Sequence, residues 1–86
     1  MKIHELKCWP QSFEAILQGG KTFEVRYNDR GYEKGDRLLL QEYDLKGNMY
    51  TGRSVKMRVE YIAMMDFGIE PGWVVMAIVP TGDAIL

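Results

Sequence analysis

Apolar positions along the chain switch between two periods, and each switch marks an element. Lys2 to Cys8 alternates, with His4, Leu6 and Cys8 on one side and Glu5 and Lys7 on the other, which predicts a strand. Pro10 suits the first turn of a helix. Phe13, Ile16 and Leu17 then recur at i, i+3 and i+4 to make one apolar stripe. Gly19 and Gly20 close this helix, expected near Pro10 to Gln18, because glycine accepts the left-handed conformation that helix C-termini use. Alternation returns from Thr22 to Asn28, placing Glu24, Arg26 and Asn28 on one face and Phe23, Val25 and Tyr27 on the other. By the usual rule the aromatic face, Tyr27 included, is expected in the core.

Two turn signals, Asn28-Asp29-Arg30-Gly31 and Lys34-Gly35-Asp36, precede a third strand from Arg37 to Tyr43. Its run Leu38-Leu39-Leu40 suggests burial on both faces. Asp44 to Asn48 reads as a hairpin connection. Ser54 to Met64 alternates most clearly, with Val55, Met57, Val59, Tyr61 and Ala63 facing inward. Asp66 to Gly72 is a loop or a single helical turn. Trp73 to Val79 is a continuous apolar strand suited to the middle of a sheet. The tail from Pro80 to Leu86 carries no strong signal and is expected to fray.

These elements predict an α+β, mostly β domain spanning residues 1 to 86: a small β-barrel of about five strands with one short N-terminal helix. Composition agrees. Hydrophobic residues make up 47% of the 86-residue chain, enough for one compact core. The lone cysteine, Cys8, excludes an internal disulfide, and with one histidine, His4, no metal centre is expected. Cys8 reads as a small apolar filler and His4 as a core histidine bonded to backbone. Met64, Met65 and Met76 read as core fillers. No cofactor is expected. The polar start, without a signal-peptide pattern, and the absence of a long apolar run point to a cytoplasmic, membrane-free monomer.

Charge limits the partners. The net charge is −1, with signs mixed along the chain. Proteins that live on duplex backbone binding carry a basic excess, because phosphate neutralisation dominates that affinity. Any nucleic-acid contact here is expected to be small and local, with one base or nucleoside in a pocket.

Candidate chemistry gathers around Gly19 to Asn28. Lys21 follows two glycines and is free to reach into a cleft. Arg26 offers a planar fork for a carboxylate, phosphate or base edge. Glu24, flanked by both cations, is kept ionised and suits accepting from an exocyclic amine. Asn28 shares their face, and Lys7 joins them if the first two strands are neighbours. An ordinary solvated face with a surface ion pair has the same pattern. Trp9, Tyr32, Tyr43 and Tyr50 lie at loops or strand ends, where a ring could stack on a base. Trp9, before Pro10, is equally placed to staple onto the helix.

The pattern Gly19-x-Lys21-x-x-Glu24-x-Arg26 resembles the signature of the ASCH superfamily. So, for a short bacterial and phage subgroup, do His4-Glu5-Leu6-Lys7, Asn28-Asp29-Arg30, Gly35-Asp36, Glu42-Tyr43-Asp44 and Tyr50-Thr51-Gly52-Arg53. The resemblance runs from about Ile3 to Val79. It implies a PUA-like barrel, an association with RNA or modified nucleosides, and a ligand pocket lined by Lys21. It also carries an alternative, a small amidohydrolase that removes the acetyl group from acetylated cytidine, with Lys21 and Glu24 as the catalytic candidates. Against that stand Glu24, where those enzymes resemble one another in having threonine, and a length too short for their added helical segment. No serine, cysteine or histidine is expected beside the constellation as an activated nucleophile. A phage or host interaction protein is a further alternative, and it requires an exposed apolar patch.

Overall fold

The computed structural model describes residues 1–82, so the end of the expected frayed tail, 83–86, lies outside the described residues. Five strands and a short helix follow in the order β1 (Ile3–Cys8), α1 (Pro10–Leu17), β2 (Phe23–Tyr27), β3 (Arg37–Asp44), β4 (Met49–Ala63) and β5 (Trp73–Pro80). The strands form a single curled sheet ordered β1-β3-β4-β5-β2. β1 pairs with β3 in parallel, and the other neighbours are antiparallel. The fold is therefore mostly β, a half-barrel with one helix, as the pattern predicts. A 3₁₀ turn at Met65–Phe67 occupies part of the expected loop before β5. No helix among the described residues is long and apolar enough to cross a membrane.

Core formation follows from alternation. Leu6 and Cys8 of β1, Leu38 and Leu40 of β3, Val55, Met57 and Val59 of β4, and Val74, Met76 and Ile78 of β5 are buried against Phe13 and Ile16 of α1. Leu39 is only half-buried, so β3 is apolar on one face rather than two. Met64 and Met65, expected in the core, stand exposed at the end of β4 and in the turn that follows; Met76 alone of the three is interior.

The helix starts at Pro10 with no side-chain cap and ends where Gly19 adopts φ +79°, the left-handed value that stops helices. It is tied to the sheet by charge. Arg53 of β4 donates to both oxygens of Glu42 on β3 and, at 2.7 Å, to Glu14 on α1, and Thr51 also donates to Glu42. The bonds from Arg53 and Thr51 hold the buried Glu42 carboxyl below its usual range despite burial.

Two departures from the simple pattern shape the rest. A bulge between Val59 and Tyr61 shifts the β4–β5 register. One extra residue exchanges the two faces of a strand, so Tyr61, expected inward with Val59, is 53% exposed. The second is β2, whose facing is the reverse of expectation. Glu24 and Arg26 are cross-strand partners of Met76 and Val74, which lie in the core, and share that inner face. Phe23, Val25 and Tyr27 point out, each about half exposed. Together with Trp73 and Tyr61 they form an uncharged outer face on the β2-β5-β4 side of the sheet.

Candidate functional site

Because β1 and β2 are the two edges of a curled sheet, they face each other without a shared ladder. Arginine side chains bridge the seam instead. Arg26 donates from Nη2 to the Lys7 carbonyl at 2.7 Å, and Arg30 donates from Nη1 to the Glu5 carbonyl at 3.1 Å. At the α1 end of this seam lies a cavity of about 410 Å³, lined by Lys7, Cys8, Trp9, Ser12, Lys21, Glu24, Val25 and Arg26. That volume falls within the roughly 300–1,000 Å³ of small-ligand sites.

Glu24 is the centre of the arrangement. It is buried, at 3% exposure, and each of its oxygens accepts from one cation. Lys21 Nζ donates to Oε1 and Arg26 Nε to Oε2, both at 2.8 Å. Lys21 Nζ also donates to Ser12 Oγ at 2.5 Å. A carboxylate buried this deeply is retained only with such partners. This is why β2 turns its charged face inward: the closing cations make that face tolerable inside.

Glu24 accepts from Lys21 on one oxygen and from Arg26 on the other, and so holds both cations in place. The donors that remain are on the cations. An ammonium carries three N–H groups, and Lys21 uses two on Ser12 and Glu24. Arg26 Nη1 has no partner among the described residues. Lys7, Lys21 and Arg26 against Glu24 leave the lining formally +2. The cavity therefore suits hydrogen-bond acceptors: carbonyls, unprotonated ring nitrogens or phosphate oxygens.

Four of the five sequence-predicted residues thus meet at one cavity: Lys7, Lys21, Glu24 and Arg26. Asn28 does not. Its side-chain oxygen accepts from the Tyr32 backbone N–H at 3.0 Å and so shapes the loop after β2. Tyr32, a candidate stacking ring, is buried edge-on against His4, with centroids 4.7 Å apart. His4 is interior as expected, but its partner is a side chain rather than backbone, since Nε2 donates to Asp36 Oδ2 at 2.8 Å. Asp36 accepts further from the backbone N–H groups of Lys2 and Glu33. Burial works against its ionisation, yet these bonds hold its carboxyl below the usual range. Trp9 has its ring edge-on to Tyr43 and remains 49% exposed.

Ser12 and Cys8 are the residues that sequence reading missed, contrary to the expectation that no serine or cysteine stands beside the motif. Ser12 lies four residues before the buried Ile16 and so on the same side of the helix, a spacing that marks it as inward-facing. Neither is activated as a nucleophile. Ser12 receives a hydrogen bond from an ammonium already paired with Glu24, which leaves no base beside it. Burial pushes the Cys8 thiol up, and the negative charge of Glu24 adds to this.

Comparison with known proteins adds relationships. The family described as "Domain of unknown function (DUF3850)" matches residues 3–78. An "Uncharacterized 12.9 kDa protein in GpA 3'region" from Escherichia phage P2 is 45% identical over 58 residues, covering 67% of this chain. The match spans about half, 51%, of that relative's length.

Proposed function

The chain belongs to the DUF3850 family, and from its Lys21–Arg26 motif and the cavity the motif lines we propose that it is a nucleobase-binding domain of the ASCH, PUA-like type. It takes a base of RNA or a modified nucleoside into the cavity at Lys21 and Arg26. One observation carries the reading: a buried carboxylate spends both oxygens fixing two cations, and each cation keeps a donor for the cavity. Fixed planar and point donors in a small concave site are what reading a base edge requires. The recognised edge is an acceptor edge, such as the O2 and N3 atoms of a cytosine. The mixed charge of the chain supports one local contact over a backbone track.

Titration with the four nucleosides and N4-acetylcytidine, followed by NMR, tests the proposal. Arg26→Ala should weaken binding about tenfold or more, the worth of a hydrogen bond from a charged group, while the fold still melts cooperatively. Failure of every nucleoside and nucleotide to bind would refute the proposal. The amidohydrolase alternative is decided in the same tubes. Conversion of N4-acetylcytidine to cytidine that vanishes in Lys21→Ala would replace binding with hydrolysis. The alternative of a phage or host interaction protein draws on the outer face around Val25, Tyr27 and Trp73. Tyr27→Ser at that face should leave nucleoside affinity unchanged, because Tyr27 is exposed and does not line the cavity.

A further inference from the structure

The cavity does not end at its rim but continues into a cluster of rings. Trp9 lines the cavity and stands edge-on to Tyr43, with centroids 6.2 Å apart. Tyr43 stands edge-on to Tyr50 at 5.0 Å. Tyr43 and Tyr50 are cross-strand partners on β3 and β4, so their rings leave the same face of the sheet. Trp9 and Tyr50 keep about half their surface in solvent, 49% and 50%. None of the three rings belongs to the buried core. Lys7 joins the two features: it lines the cavity, and its Nζ lies 4.3 Å from the Tyr43 ring centroid.

Resting on the reading of the cavity as a nucleobase site, we propose that the natural ligand is a single-stranded oligonucleotide rather than a free nucleoside. One base enters the cavity, the neighbouring base stacks on the Trp9–Tyr43–Tyr50 platform, and the phosphate between them meets Lys7. Exposed rings beside a base pocket are the means by which single strands are held without duplex geometry, since every base offers a π-face. The charge balance favours the same ligand. A chain with net charge −1 gains little from a long phosphate track, so affinity beyond the first base must come from stacking. One phosphate contact also sets a shallow salt dependence, with a slope near −0.7 in log Kobs against log salt.

NMR titration of the ¹⁵N-labelled protein with AMP, CMP and UMP, and with pentanucleotides of A, C and U in RNA and DNA forms, tests this. The two tryptophans give two indole signals, and Trp73, beside Tyr27 on the outer face, serves as the internal control. The favoured base should bind at least about tenfold tighter as a pentanucleotide than as its monophosphate, within the roughly 5- to 150-fold that one stacked base supplies. The pentanucleotide should move the Trp9 indole signal and leave that of Trp73. Tyr50→Ala should remove the pentanucleotide gain and leave monophosphate affinity within about twofold, and Tyr50→Phe, which keeps the ring, should restore the gain. Either sugar form meeting these criteria supports the proposal. A pentanucleotide no tighter than its monophosphate, or a gain that survives Tyr50→Ala, overturns it and leaves the nucleobase reading standing. No binding by any monophosphate or pentanucleotide overturns both.

Discussion

Replacing Glu24 with glutamine keeps the shape of the side chain and removes the charge that two cations share. Glutamine offers one carbonyl oxygen, so one of Lys21 and Arg26 loses its acceptor and the other exchanges a charged partner for a neutral one. Hydrogen bonds to charged groups contribute about 1.5–3 kcal/mol each, and breaking a fully buried ion pair costs about 3–5 kcal/mol. The side chains of Lys21 and Arg26 are 22% and 27% exposed, so water recovers part of that loss. A destabilisation of about 2–3 kcal/mol follows. For a domain of this size that lowers Tm by roughly 10–20 °C. Thermal and urea unfolding of wild type, Glu24→Gln, Arg26→Ala and the double variant form the test. If Glu24 and Arg26 act as one unit, the double variant should be less destabilised than the sum of the singles by about 1 kcal/mol or more. Additivity within about 0.5 kcal/mol would show two independent side chains and refute the role assigned to Glu24.

Asp36 supplies a pH test. Its carboxyl is held below the ordinary value of about 3.9, so its contribution to stability is present above that pH and is lost as pH falls through the lower folded-state value. Asp36→Asn should therefore destabilise most above pH 4, with the gap to wild type narrowing in more acidic solution; a gap independent of pH would contradict this. Phe13, fully buried between α1 and the sheet, should cost about 3–5 kcal/mol as Phe13→Ala by urea unfolding. Gly72 has φ +88°, and a Cβ there would lie 2.7 Å from Cε1 of Tyr27. Tyr27 is exposed and can move, so Gly72→Ala should cost about 1–2 kcal/mol from the backbone, and Tyr27→Ala in the same chain should leave that cost largely in place.

How far the sequence reaches is best seen strand by strand. β1 has its inner residues where the alternation puts them, because it has a single apolar face, and β5 lies within the sheet as its continuous apolar run suggests, although only one of its faces is buried. The helix is delimited by Pro10 and Gly19, residues whose backbone limits act locally. β2 is the instructive failure. Periodicity shows that Glu24 and Arg26 share a face, but not which face is inside. The rule that places polar residues outside breaks when a carboxylate brings its own counter-charges. Tyr61 fails for another reason: one extra residue at a bulge reverses the faces, and a bulge leaves no mark on the alternation itself. The spacing of Ser12 to Ile16 gives its side of the helix, but that Ser12 and Cys8 meet Lys21 and Glu24 at one cavity is a contact between segments that no local pattern records. The motif from Lys21 to Arg26 was readable because three functional groups fall within six residues.

Chemical-shift mapping at residue resolution with saturating nucleotide will show whether an acceptor-bearing base is held by Lys21 and Arg26 on a Glu24 anchor. The backbone signals of Lys7, Ser12, Lys21 and Glu24 and the Nε–H signal of Arg26 should move together on one saturation curve, while those around Tyr27 and Trp73 stay in place. Shifts confined to the outer face of β2 and β5, or no saturable shift at the Arg26 guanidinium, would contradict it.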